Sequence, residues 1–168
     1  RTGEEFEEKF TTTFIIGQNN IAKAGNRLVV VTQSMEYFLF DTIGGTWSVR
    51  PRPAIRSTSV PIANDDYVVL RNGTMMFVLK VATNEWVALD AKQYYKVYIV
   101  EHNIVLIEDY VLKIYNMITR QWTTGFQLDA YLRLGSVAVH NSTIFIAGVG
   151  DGEEQRKVHM YSIETGQY

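Results

Sequence analysis

The sequence predicts an all-β chain made of four near-copies of one antiparallel four-stranded sheet. Three observations lead to this prediction. Trp47, Trp86 and Trp122 recur at intervals of 39 and 36 residues, and short apolar runs rich in β-branched residues alternate with turn residues. No long stretch keeps the 3.6-residue period of an amphipathic helix. A period of about 40 residues indicates a repeat architecture.

The tryptophans belong to a longer pattern, called here the frame. Its first residue is aromatic or a large aliphatic, six residues follow, and its second residue is Trp or, once, Tyr. The four frame pairs are Phe40 and Trp47, Leu79 and Trp86, Tyr115 and Trp122, and Tyr161 and Tyr168. They predict repeats at approximately 17–50, 55–90, 93–128 and 132–168 within a single domain, 1–168.

Each repeat is predicted to contain four strands. Residues 60–63 and 67–70 represent the first two, separated by Asn64-Asp65-Asp66, since Asn, Asp and Gly tolerate the backbone of tight hairpin turns. The second strand recurs at 28–31, 67–70, 104–107 and 144–146. The third leads into the frame at 37–40, 75–79, 111–115 and 158–161, and the fourth begins at the second frame residue.

Sheets of this kind must pack against one another. A single twisted four-stranded sheet leaves both faces exposed, so it needs a neighbour on each side. The second frame residue is large enough to fill the wedge between two such sheets. The sequence therefore predicts a β-propeller of four-stranded antiparallel blades, with about four blades present as part of a larger ring.

The first residues of the chain suggest one more strand. Phe10-Thr-Thr-Thr-Phe14 is similar to Trp122-Thr-Thr-Gly-Phe126, and Phe10 precedes Trp47 by 37 residues, close to the repeat period. Residues 10–16 are predicted to be the outer strand either of a closing blade or of a neighbouring one. The remainder of the same propeller or another chain is expected to complete the ring.

The frame resembles the kelch-repeat family, whose propellers share the galactose-oxidase-like architecture. In that family an aromatic residue, six residues and a Trp span the turn between the third and fourth strands, as at 40/47, 79/86, 115/122 and 161/168. The repeats here are divergent, because most lack the Gly-Gly doublet after the second strand. The resemblance implies a propeller that presents one loop face to a protein ligand.

Composition excludes several function classes. Sixteen Lys and Arg against 18 Asp and Glu leave a net charge of -2, so no global positive field favours nucleic acid or an anionic membrane. The absence of Cys excludes thiolate nucleophiles, Cys-ligated zinc and the Cys–Tyr chemistry of a radical-copper oxidase. No catalytic constellation or metal cluster is readable, so we expect neither enzyme activity nor a cofactor. The compartment is left open, with the cytoplasm favoured.

Candidate ligand-binding residues cluster in the connections after the second and fourth strands, which vary in length. Arg50-Pro-Arg-Pro-Ala-Ile-Arg56 contributes Arg52 and Arg56, and the equivalent face carries Arg71 and Arg133. Arginine forks bind carboxylates bidentately, which favours an acidic peptide as ligand. The alternative interpretation is that these are solvated loop charges.

Tyr94 and Asp109 complete the predicted ligand-binding set. Tyr94 is a candidate aromatic anchor because tyrosine provides contact area at low entropic cost, although packing within a blade explains it equally. The predicted function is a non-enzymatic protein–protein interaction module within a larger scaffold or adaptor. A carbohydrate-binding or carbohydrate-processing propeller is the alternative, motivated by Tyr and Asp residues in the same loops.

Overall fold

The computed structural model of the chain describes residues 20–32, 36–53, 60–92, 95–108, 110–123, 125–128, 133–149 and 156–167. These residues form antiparallel strands and no α-helix. Within strands, the side chains of residues 95, 133–136, 148, 149, 156 and 157 lie outside the description. The predicted strand at 10–16 also falls outside the described residues.

The described strands form four sheets, and each sheet follows chain order except that the last short strand of sheet 3 pairs with the third strand of that sheet. Sheet 1 contains β1 (Ile21–Ala24), β2 (Arg27–Val31), β3 (Glu36–Asp41) and β4 (Thr46–Pro51). Sheet 2 contains β5 (Ile62–Ala63), β6 (Tyr67–Asn72), β7 (Met75–Lys80) and β8 (Glu85–Asp90). Sheet 3 contains β9 (Tyr95–Val100), β10 (Asn103–Glu108), β11 (Val111–Asn116), β12 (Gln121–Trp122) and β13 (Phe126–Gln127). Sheet 4 contains β14 (Arg133–His140), β15 (Thr143–Val149) and β16 (Arg156–Ser162).

The frame pairs are cross-strand neighbours in the hairpin between the third and fourth strands. Phe40 pairs with Trp47, Leu79 with Trp86 and Tyr115 with Trp122. In the first and third of these pairs the ring centroids lie 4.8 and 5.2 Å apart. A separation of six residues therefore places the two large side chains of a frame pair opposite each other on one sheet face.

Left-handed backbone at one position keeps this spacing constant. Five residues after the first frame residue, φ is positive in all four repeats, at Gly45 (62°), Asn84 (58°), Arg120 (58°) and Gly166 (67°). In the first repeat the turn is also fixed by the Asp41 carboxylate, which accepts hydrogen bonds from the Ile43 and Gly44 amides. Those backbone donors, that of Gly44 first, lower the pKa of Asp41.

Three apolar cores lie between successive sheets. The face of a sheet that carries the first frame residue is called here its leading face, and the opposite face its trailing face. The trailing face of sheet 1 packs on the leading face of sheet 2, and the same contact recurs between sheets 2 and 3 and between sheets 3 and 4. The first frame residue marks each leading face, and Leu79, Tyr115 and Tyr161 are 0%, 6% and 8% exposed. Sheets 2 and 3 thus bury one face against the sheet before and the other against the sheet after.

The second frame residues differ from the prediction. Trp86 packs against the core between sheets 1 and 2, with its ring 5.4 Å from that of Tyr37 in an edge-to-face arrangement. Trp47 and Trp122, however, are 36% and 40% exposed. The expectation that every such residue fills an inter-sheet wedge is therefore wrong. In sheets 2 to 4 the buried position is the first frame residue, because the third strand lies nearer the centre of the sheet than the fourth.

Two glycines with similar φ angles allow the close approach of sheets 1 and 2 to be tested. Gly25 and Gly73 have φ of 55° and 57°. A Cβ on Gly25 would lie 3.0 Å from the carbonyl oxygen of Asp65 in sheet 2, whereas a Cβ on Gly73 would meet nothing within 4 Å. Positive φ alone costs alanine roughly 1 kcal/mol, and the crowded site adds the cost of moving a neighbouring backbone.

We therefore expect Gly73→Ala to lower the free energy of unfolding by about 1 kcal/mol and Gly25→Ala by about 2 kcal/mol or more. Urea denaturation of both variants measures the difference. Equal losses would contradict the close approach of the two sheets at Gly25.

Candidate functional site

The two ends of the sheets differ in the connections that they carry. At the end called here the turn end, the strands are joined by two to four residues, for example at 25–26, 64–66 and 117–120. At the opposite loop end the connections range from two residues, at 73–74, to ten residues, at 52–61. The predicted ligand-binding residues belong to the loop end or to the strands that finish there.

Arg52 is held at the loop end by the protein itself. It is 6% exposed, and its guanidinium donates to the carbonyl oxygen of Thr32 at 2.7 Å and to that of Pro53 at 3.3 Å. Burial lowers the pKa of Arg52. These bonds join the connection after β4 to the one after β2, which gives Arg52 a bracing role in sheet 1.

Arg71 and Tyr110 are two residues of the loop end whose side chains are at least partly accessible. Arg71 is half-buried near the end of β6. Tyr110 occupies the β10–β11 turn with φ of 63° and is 39% exposed. Sequence reasoning missed Tyr110, since nothing in the sequence marks a tyrosine with left-handed backbone as a turn residue.

A buried carboxylate ends the strand that leads into the Tyr110 turn. Glu108, the last residue of β10, is 3% exposed, and its Oε2 accepts a hydrogen bond from Lys113 Nζ at 3.0 Å. Within the described part of the chain, Oε1 makes no hydrogen bond. The pair crosses from β10 to β11 just below the turn that contains Tyr110.

Several of the other predicted site residues are not among the described residues. Arg56, Tyr94 and Asp109 lie outside the described residues, as does the second frame residue Tyr168. Arg133 begins β14 at the loop end, and its side chain is outside the description. The structure therefore places Arg52, Arg71 and the backbone of Arg133 at the same end of three different sheets.

The turn end is joined across the sheets by hydrogen bonds. Asn64 Nδ2 of sheet 2 donates to the Glu101 carbonyl of sheet 3 at 2.9 Å, and Ser142 Oγ of sheet 4 donates to Glu101 Oε1 at 2.9 Å. Together with the approach of Gly25 to Asp65, these contacts connect the turns of all four sheets. They also show that the short turns lie at a common end of the molecule.

A cleft of about 410 Å³ opens between two of these turns. It is lined by Asn64, Asp65, Asp66, Glu101 and His102. Tyr67 OH lies 3.3 Å from His102 Nδ1, and burial, followed by the nearby Asp66 charge, raises the pKa of Tyr67. The lining is acidic and suits cationic groups, but the prediction located recognition at the opposite end. Sequence analysis identified Asn64, Asp65 and Asp66 only as turn residues.

No group of three or more His, Asp or Glu side chains among the described residues is arranged to hold a metal ion. None of them forms a helix with the length and apolar character that a membrane span requires.

Comparison with known proteins supports the fold. No protein family and no curated protein matches the sequence. Among solved structures, the computationally designed Ika4 protein has a TM-score of 0.55 and 14% identity, covering 85% of this chain and 89% of that one. BamB from Moraxella catarrhalis has a TM-score of 0.51 and 16% identity, with coverage of 76% and 39%. Hydrazine synthase from Kuenenia stuttgartiensis has a TM-score of 0.53 and 12% identity, with coverage of 98% and 51%.

These similarities, together with the stacked antiparallel sheets, confirm the predicted all-β, propeller-like fold. The chain spans about half the length of the hydrazine synthase chain and less of BamB. At identities of 12–16% the likeness concerns the fold alone.

Proposed function

We propose that this chain is a non-enzymatic protein-interaction module, a kelch-like propeller whose loop end binds a protein or peptide ligand within a larger scaffold or adaptor. The observation that carries the proposal is the difference between the two ends. Uniform short turns join the strands at one end, and connections of two to ten residues gather at the other. Variable loops on a rigid scaffold are where recognition is usually found.

The scaffold supports such a role because both faces of its inner sheets are packed against neighbouring sheets. Most large apolar side chains of the three inter-sheet cores are fully buried, so the inner sheets offer mainly their ends to a ligand. Arg52 braces the loop end through two backbone carbonyls. A braced loop loses little conformational entropy on binding, which favours affinity.

The charge of the ligand follows from the arginines. Arg71 is partly accessible, and β14 begins with Arg133 at the same end. Guanidinium groups bind carboxylates through paired hydrogen bonds. The proposed ligand is therefore an acidic peptide segment of a partner protein.

Binding to an array of Asp- and Glu-rich peptides, with charge-neutral Asn and Gln versions as references, tests this proposal. We expect the acidic peptides to be retained and the Arg71→Ala/Arg133→Ala variant to bind them at least tenfold more weakly, since one charged hydrogen-bonded contact is worth about 1.5–3 kcal/mol.

Arg120→Ala is the matched control. Arg120 is an exposed arginine of the turn end, paired with Glu85, so its loss should leave peptide binding unchanged. Equal weakening by Arg120→Ala would indicate nonspecific charge attraction, and an unchanged affinity of the Arg71/Arg133 variant would exclude this face.

A further inference from the structure

Sheet 4 exposes a position that the other three sheets bury. Three residues before the first frame residue, the third strand carries Tyr37, Met76, Leu112 and Val158 in sheets 1 to 4. The first three are 0%, 0% and 1% exposed, whereas Val158 is 64% exposed. Val158 thus occupies a position that is buried in the other three sheets, but its own side chain is exposed to solvent.

A second position on the same face repeats this difference. One residue before the first frame residue stand Leu39, Val78, Ile114 and Met160. Their exposed fractions are 4%, 0%, 2% and 59%. Because strand residues two apart share a face, Val158 and Met160 form one apolar surface on the trailing face of sheet 4.

In sheets 1 to 3, the cover of these positions is always the leading face of the next sheet. Tyr37 contacts Trp86 of sheet 2, Met76 and Val78 share a core with Tyr115 of sheet 3, and Leu112 and Ile114 share a core with Tyr161 of sheet 4. The surface formed by Val158 and Met160 therefore has a defined complement, which is another leading face of the same kind.

Sheet 1 carries such a leading face at the opposite end of the stack. Phe40 occupies the position of Leu79, Tyr115 and Tyr161, yet it remains partly exposed. Ile21 and Val49 of the same sheet are 48% and 41% exposed. The four sheets thus begin with a leading face and end with a trailing face, and no apolar core of the described residues joins these two faces.

We propose that a second copy of the chain covers the surface formed by Val158 and Met160, with the leading face of its sheet 1 packed against sheet 4. In the same way, sheet 4 of the second copy packs against the leading face of sheet 1 in the first copy. The two contacts join the two stacks of sheets head to tail into a closed ring with twofold symmetry. Each copy supplies two complementary faces, and three interfaces of the same pattern already exist within each chain.

The exposure of the two residues also favours an interface, since adjacent exposed apolar residues on a sheet face are typical of an interaction site. The inference does not depend on the proposed function, because the loop end is not part of either face.

Light scattering coupled to size exclusion tests the proposal on the full chain. We expect a species of twice the chain mass of 19.2 kDa, and the Val158→Glu/Met160→Glu variant should return to the mass of one chain. An unchanged far-ultraviolet circular dichroism spectrum checks that the variant remains folded.

Ile43→Glu/Ile118→Glu is the matched control, because these turn residues are 78% and 66% exposed and belong to neither face. This variant should remain a dimer. A wild-type chain with the mass of one copy, species larger than a dimer, or a dimer that survives Val158→Glu/Met160→Glu would overturn the proposal.

Cross-linking tests the orientation, and the chain has no native Cys to interfere. A short bismaleimide reagent should join Val158→Cys to Val49→Cys when the two variants are mixed. Efficient cross-linking of Val158→Cys with itself would instead show two copies of sheet 4 face to face, and would overturn the head-to-tail arrangement.

Discussion

Replacing Trp86 with Ala is expected to lower the free energy of unfolding by about 3–5 kcal/mol. The indole packs on the core between sheets 1 and 2, and its ring meets that of Tyr37 edge to face at 5.4 Å. Truncation removes this contact and leaves a cavity at the point where the two sheets meet. Chemical denaturation followed by circular dichroism measures the loss.

Trp122→Ala is the control for this substitution. Trp122 has the same place in its repeat and also contacts its frame partner, Tyr115, but it is 40% exposed. We expect a loss of less than half that of Trp86→Ala, because less area leaves water on folding. Equal losses would show that the indole of Trp86 does not contribute to the inter-sheet core.

Replacing Lys113 with Met is expected to lower the free energy of unfolding by about 2–3 kcal/mol. Glu108 is 3% exposed and would keep a buried carboxylate without its cationic partner. Removal of one member of a buried ion pair costs about 3–5 kcal/mol, and the 38% exposure of the Lys113 side chain reduces this value.

The double variant Glu108→Leu/Lys113→Met distinguishes an unpaired charge from lost packing. It should recover most of the stability, since a buried pair replaced by apolar residues is often neutral. Arg120→Ala breaks the exposed pair with Glu85 and should cost no more than about 1 kcal/mol. If Lys113→Met costs as little as Arg120→Ala, the Glu108 carboxylate is solvated rather than buried.

Much of the fold follows from local sequence pattern. The frame predicted a hairpin in each repeat, and the register places Phe40 opposite Trp47 and Tyr115 opposite Trp122. The predicted second strand at 104–107 is the centre of β10. Alternation of apolar residues and turn residues carries this information because it depends on neighbours only a few positions apart.

The turn that maintains the frame was not predictable from residue type. The left-handed position is occupied by Gly45, Asn84, Arg120 and Gly166. Glycine and asparagine favour this backbone, but arginine does not. At Arg120 the surrounding hairpin imposes the conformation, with the Arg120 amide bonded to the Asn116 carbonyl at 2.8 Å.

The sequence predicted one end of the sheets as the location of a ligand-binding site, and the binding role of that end stays a prediction. The sequence indicated which connections share an end of the sheets, and the observed strand order agrees with that grouping. It did not indicate that Arg52 is 6% exposed, with donors that bind the protein's own backbone. Burial of Arg52 depends on Thr32, a contact between residues 20 positions apart.

The sequence by itself determined the repeat, the strand order and the pairing of large side chains within each hairpin, since these arise from short-range periodicity. Only the tertiary structure decided which of the apolar side chains are buried. Val158 and Leu112 hold the same place in their repeats, yet one is 64% exposed and the other 1%. The physical reason is that burial of a sheet face requires a second sheet against it, and sheet 3 has sheet 4 as that neighbour.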